Sequence, residues 1–96
     1  MAMQETFEID GVPAEGYVVP LGTCNLVFAK KGNSLLACGA IDIAALEKLN
    51  VAAAKVTGVA TLAELLDGQV QAVNQSAARQ GATVGQTGRE ALARMG

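Results

Sequence analysis

Cys38, Asp42, Thr57, Asn74 and Arg89 are the side chains of this sequence whose type and position could carry chemistry. Cys38 and Asp42 bracket the run Cys38-Gly39-Ala40-Ile41-Asp42, which reads as a strand turning into a helix. Thr57 and Gly58 open a second such turn in Val56-Thr57-Gly58-Val59-Ala60-Thr61, and Asn74 follows a third apolar stretch, Gln69 to Val73. A thiol near a helix N-terminus can serve as a nucleophile or redox sensor, so Cys38, with Asp42 positioning substrate or water, is a weak catalytic candidate. Where parallel strands end together, their loops share one edge, and backbone N–H groups there receive ligands. On that geometry Cys38, Gly39, Asp42, Thr57, Gly58, Asn74 and Arg89 form a candidate ligand-binding set. A plainer explanation covers the same residues: glycine, threonine, aspartate and asparagine are what tight turns and helix caps require. A cysteine at the end of Leu35-Leu36-Ala37 is ordinarily a small buried hydrophobe, which predicts slow modification of Cys38 by thiol reagents.

Arg89 ends the glycine-spaced run Gly81-Ala82-Thr83-Val84-Gly85-Gln86-Thr87-Gly88-Arg89. This run lacks the Lys-Ser/Thr ending and the preceding strand of a phosphate loop. A loop leading into the capping box Thr87-Gly88-Arg89-Glu90 explains it more simply. Arg89 remains a cation in a first helical turn, where an anion would be welcome.

What is missing narrows the chemistry further. The chain has no histidine, which removes the commonest general base and the Ser-His and Cys-His nucleophile pairs. Its two cysteines cannot build a four-ligand zinc site unaided, so no metal or cofactor is expected. A net charge of −2, no cluster of lysine or arginine, and only Phe7, Tyr17 and Phe28 as aromatics argue against nucleic acid and anionic membrane. No apolar run approaches the roughly 20 residues of a membrane span. Met1-Ala2-Met3-Gln4-Glu5 has no apolar leader region, so a cytoplasmic protein with reduced thiols is expected.

The elements that must position these residues are readable from their periodicity. The 96 residues make one expected domain, 1–96, with 1–38 mainly β and 39–96 alternating helix and strand. Phe7 and Ile9 alternate with polar neighbours, Asp10-Gly11-Val12-Pro13 signals a turn, and Ala14 to Leu21 resumes extended structure. Asn25–Ala29 and Ser34–Cys38 flank a hairpin loop at Lys30-Lys31-Gly32-Asn33. The hairpin places Cys24 and Cys38 at its outer ends, although a disulfide is not expected in a reducing compartment. Leu26 and Phe28 on one side and Val27 and Ala29 on the other make the central strand apolar on both faces, so both sides of its sheet need covering. Asp42 to Asn50 reads as a helix with its apolar side at Ile43, Leu46 and Leu49, and Val51–Val56 as a strand. Thr61-Leu62-Ala63-Glu64 opens a helix ending at Asp67-Gly68, Gln69–Val73 reads as a third parallel strand, and Asn74 caps a helix through Gln80. A final helix carries Ala91, Leu92 and Met95 on its apolar side. The expected class is α/β, bordering on α+β. Antiparallel N-terminal hairpins lead into βαβαβ units, with helices on one face of a mixed sheet.

The order Ile9-Asp10-Gly11, Asn25-Leu26, Cys38-Gly39-Ala40-Ile41-Asp42, Val56-Thr57-Gly58-Val59 and Thr87-Gly88-Arg89-Glu90-Ala91-Leu92 resembles the small YunC-like family. That is a bacterial and archaeal domain of unknown function. The resemblance implies an α/β fold whose N-terminal β region mediates tetramer formation. It brings no activity and no catalytic residue. The expectation is therefore an uncharacterised protein that self-associates, its partner being itself, as a homotetramer. A small-metabolite or anion module at the strand ends is the alternative, and a Cys38-dependent enzyme the lower one.

Overall fold

A computed structural model describes residues 3–96; Met1 and Ala2, the start of the segment read as having no leader, lie outside the described residues. The chain order is β1 (Met3–Ile9), β2 (Val12–Pro20), β3 (Asn25–Lys31), β4 (Ser34–Cys38), α1 (Ile43–Glu47), β5 (Ala52–Val56), α2 (Leu62–Asp67), β6 (Ala72–Val73), α3 (Gln75–Arg79) and α4 (Gly88–Arg94). The strands form one sheet in the order β1-β2-β3-β4-β5-β6. The first four pair antiparallel, and β4 and β5 run parallel. The fold is thus a mixed-sheet α/β arrangement, as the sequence implies.

Turn chemistry sets the register of the hairpins. Asp10 and Gly11 both take positive φ, 51° and 83°, the pair of left-handed residues that closes a two-residue hairpin, and Ile9 faces Val12 across it. The β3–β4 turn is tighter than the sequence suggests: Lys31 belongs to β3 and faces Ser34. Lys31 is buried, and its Nζ donates to the Ala93 carbonyl at 3.0 Å near the C-terminal end of α4, where the helix dipole favours a cation.

The main core lies where α2 and α4 meet the sheet. Val27, Ala29, Leu36, Ala54 and Val56 from the strands pack with Leu65, Ala91, Leu92 and Met95 from the helices. Gly88 permits the close approach of α4, since a Cβ there would stand 2.2 Å from the Leu65 carbonyl oxygen. A second, smaller cluster of Ala37, Ile43 and Ala53, with Leu35, Ile41 and Leu46 against it, lies on the other face under α1. Helices therefore occupy both faces, not one. The alternation in β4 requires this: Leu36 and Ala37 are both fully buried and point opposite ways.

The third parallel strand is not present. Gln69 makes an isolated bridge to Thr87, and only Ala72 and Val73 join the sheet, antiparallel to β5 through Val73↔Ala54 and Ala72↔Lys55. After α2 the chain meets β5 at its C-terminal end, where the Gln71 N–H donates to the Lys55 carbonyl at 2.7 Å, and it runs against β5 until the Asn74 N–H reaches the Ala53 carbonyl at 3.0 Å. Leu49 also falls outside its expected helix and is 69% exposed, while Asn50 turns the chain with φ 60°.

Candidate functional site

β4 and β5 end side by side, with Cys38 opposite Val56. The two loops that follow touch, because a Cβ on Gly39 would lie 3.4 Å from Thr57 Cγ2. Cys38, Gly39, Thr57 and Gly58 are therefore neighbours at one edge, as expected. Cys38 itself is 3% exposed, and its sulfur accepts the Val27 N–H at 3.4 Å, standing in for a carbonyl where the β3–β4 ladder ends. Asp42 caps α1, its Oδ1 accepting from the Ala44 and Ala45 amides at 3.0 and 3.3 Å. Both thiols are free, Cys24 exposed and Cys38 buried.

Asn74 and Arg89 lie elsewhere. Because β6 runs antiparallel, its C-terminal end brings Asn74 to the start of β5, the edge opposite Cys38. There Asn74 Oδ1 accepts from the Ala53 and Ala77 amides, both at 3.0 Å, and Nδ2 donates to the Ile43 and Val51 carbonyls at 3.2 and 2.8 Å. These four bonds use the full capacity of a primary amide. Arg89 lines a hollow with Glu8, Ile9, Asp10, Glu90 and Ala93, beside the β1–β2 turn. Three carboxylates around one guanidinium do not make an anion site.

The concavity on the Cys38–Thr57 edge is a groove of about 360 Å³ between the sheet and the start of α2. Met3, Glu5, Gly16 and Val18 form its floor, and Asn25 with Ala60–Ala63 its wall. Local bonds hold that wall. Asn25 Nδ2 donates to the Ala60 carbonyl at 3.0 Å, while Glu64 Oε1 accepts the Ala60 and Thr61 amides at 2.8 and 3.2 Å. Thr61 Oγ1 accepts the Glu64 amide, completing the capping box. Leu62 lies over Gly16 so closely that a Cβ there would sit 2.4 Å from Leu62 Cδ2. None of these lining residues belongs to the sequence-derived set. The one local signal was Gly16, a glycine inside a strand, which marks close approach of another segment.

Chemically the groove offers apolar contact with a carboxylate and an amide at its margin. Among the described residues its lining holds no nucleophile paired with a base. Among the described residues no group of three or more His, Cys, Asp or Glu side chains is placed to hold a metal ion. Among the described residues no helix is long and apolar enough to cross a membrane.

The other face of β1–β3 carries a different feature. Tyr17 faces Phe28 across the strands and their rings stack at 4.9 Å, with Val19 facing Leu26 beside them. α1 packs on Ala37 and Ala53 with Leu35 beside them, and Tyr17, Val19, Leu26 and Phe28 are half-buried. A polar rim borders it. Glu15 accepts from Tyr17 Oη at 2.9 Å and Gln4 Nε2 at 2.8 Å, and Lys30 stands 3.8 Å away. The hydrogen bond to Glu15 raises the Tyr17 pKa above its ordinary value, with burial and the nearby negative charge adding to it.

Comparison with known proteins gives the family. Residues 37–95 match the family described as "Domain of unknown function (DUF1805)". The chain is 36% identical over 91 residues to "Uncharacterized protein YunC" of Bacillus subtilis (strain 168), covering 91% of this chain and 90% of that one. It is also similar to the crystal structure of TA1206, a protein of unknown function from Thermoplasma acidophilum. There the TM-score is 0.92 at 27% identity, over 100% of this chain and 94% of the other. The chain belongs to this YunC-like family of unknown function.

Proposed function

We propose that the protein is a self-assembling module, a homotetramer, in which further copies cover the open half of the sheet. The observation that carries this reading is the Tyr17–Phe28 stack beside Val19, a half-buried apolar patch bordered by Glu15, Gln4 and Lys30 on the face of β2 and β3 opposite the buried Val27 and Ala29. Such a rimmed patch is the ordinary anatomy of a protein interface. Fully burying one large apolar side chain is worth about 1.5–3 kcal/mol, so a few per copy offset much of the cost of association. Size-exclusion chromatography with light scattering tests the reading. The parent chain is expected as a single assembled species at micromolar concentration, and Phe28→Asp as a smaller one with unchanged circular dichroism. A monodisperse parent monomer refutes it.

The groove supports a second reading, a small-molecule binding module. Its volume of about 360 Å³ falls within the roughly 300–1,000 Å³ of ligand pockets. A ligand at 100 times its Kd adds about 2.7 kcal/mol of stability. A thermal-shift screen of apolar amines and common metabolites is expected to find a stabiliser; flat curves throughout, with an unchanged response in Gly16→Val, refute it.

A further inference from the structure

The row of β1 that faces the main core is Met3, Glu5, Phe7 and Ile9, since alternate residues of a strand share a face. Ile9 is buried in that core and Phe7 packs against it. Glu5 is the one charged residue of the row. Across the sheet its line continues through Gly16, Ala29, Leu36 and Ala54, all buried and uncharged. Gly16, directly opposite, has no side chain to meet it. Among the described residues the ion pairs are Lys30–Glu15 and Arg79–Glu47, and Glu5 enters neither. A carboxylate set into an apolar row without a cation breaks the patterning of the strand, and such breaks are expected at functional positions.

We infer that the groove beside this row takes a protonated alkylamine, its ammonium at Glu5 and its apolar chain along Met3, Val18 and Leu62. This rests on the small-molecule reading of the groove and names the class of ligand. No lysine or arginine lies in the lining, so Glu5 supplies its only charge. Asn25 commits its Nδ2 to the Ala60 carbonyl, which leaves its Oδ1 as an acceptor. A carboxylate and an amide oxygen at one margin are met best by a donor that carries positive charge. The rest of the lining is largely aliphatic and receives a hydrocarbon chain. A ligand carboxylate is opposed there. Glu64 already holds the Ala60 and Thr61 amides, so the start of α2 carries an anion of its own beside that of Glu5. The groove therefore discriminates against an amino acid and accepts the amine left when its carboxyl group is lost.

Three probes that share one hydrocarbon chain and differ at the head test this: n-pentylamine, n-pentanol and norleucine. Titration of each into the full chain, followed by backbone amide chemical shifts, reads both the place and the affinity. At neutral pH and low salt, pentylamine is expected to move the amides of Gly16, Val18 and residues 60–63. It should bind about fivefold more tightly than pentanol, the upper range for an exposed ion pair. That preference should fade as salt is raised, while pentanol binding does not weaken. Norleucine is expected to bind more weakly than pentylamine. Glu5→Gln keeps the shape of an exposed side chain and should bring pentylamine down to the level of pentanol. Pentanol or norleucine binding in the groove as tightly as pentylamine overturns the ammonium assignment and leaves the groove a binding site. A Glu5→Gln protein that keeps the preference does the same. If no probe moves these amides up to its solubility limit, the small-molecule reading of the groove falls as well.

Discussion

Removing the Asn74 side chain should unfold a disproportionate share of this protein. Its amide joins the start of β5, the first residue of α1 and the first turn of α3 through four hydrogen bonds, and the residue is 8% exposed. Asn74→Ala leaves the Ala53 and Ala77 amides without their acceptor and the Ile43 and Val51 carbonyls without their donor. Each buried group left unpaired costs about 1–3 kcal/mol. Carbonyls tolerate this better than amides, and water entering the truncated site recovers part of the loss. The two amides then set a figure of about 2–4 kcal/mol. A domain of this length has about 5–14 kcal/mol in total, and 1 kcal/mol moves Tm by about 4–8 °C, so a fall of at least about 8 °C is expected. Asn74→Asp separates the two halves of the node. It keeps the acceptor for Ala53 and Ala77 but turns an oxygen toward the carbonyls of Ile43 and Val51. Protonation restores one donor, so the folded state favours the acid form. The deficit of this variant should therefore shrink as pH falls and grow as pH rises. Urea denaturation at fixed protein concentration across pH measures both variants against the parent. An Asn74→Ala loss under about 1 kcal/mol, or an Asp variant that tracks the Ala variant at every pH, would refute the assignment.

Three further outcomes follow from the geometry. A chromogenic disulfide reagent should titrate Cys24 rapidly in the native protein and Cys38 only on unfolding, because Cys38 is 3% exposed; two fast thiols would contradict the buried placement. Glu47 accepts the Ser76 amide at 2.8 Å and the Ser76 hydroxyl at 2.9 Å, with Arg79 3.5 Å away. The Ser76 bonds, the backbone one first, hold its pKa below the ordinary carboxylate value. Its contribution is therefore present above the unfolded-state pKa and lost as pH falls through the folded one. The stability gap between parent and Glu47→Gln should close in acid, and a gap independent of pH would count against it. Gly88→Ala places a Cβ 2.2 Å from the Leu65 carbonyl and 2.9 Å from Leu36 Cδ2. Forced displacement of α4 should cost about 1–3 kcal/mol in chemical denaturation.

The caps were legible in the sequence because cap chemistry is local. Asp42, Thr61, Asn74 and Thr87 each accept from backbone amides two or three residues ahead, and both capping boxes close as the Thr-x-x-Glu spacing implies. Strand direction was not legible for Gln69–Val73, since period-two alternation is the same whichever way a strand runs. The error moved Asn74 from one edge of the sheet to the other and dispersed the expected site. The groove was hidden for a related reason: β1, β2, β3 and the 60–63 segment contribute to it, and no window of sequence contains them together. Lys31 shows the same limit in reverse. A lysine pair followed by Gly-Asn looks like loop, yet both lie in β3, opposite Leu35 and Ser34, and Lys31 is buried against the end of α4.

The division of labour among the polar side chains favours contact over catalysis. Asn74 spends its whole capacity inside the fold, Asp42 and the two Thr–Glu boxes are committed to helix ends, and Glu47 fastens α1 to α3. Some large apolar groups go the other way. Met3, Val12 and Leu21 are 65%, 44% and 53% exposed, Leu49 and Val84 are exposed elsewhere, and the Tyr17–Phe28 stack is half-buried. Met3, Val12, Leu21, Tyr17 and Phe28 belong to β1, β2, β3 or the turn just after β2, whose inward residues Ile9, Ala14, Val27 and Ala29 close the core against α2 and α4. The polar side chains of this domain are thus largely committed to holding its helices and strand ends together.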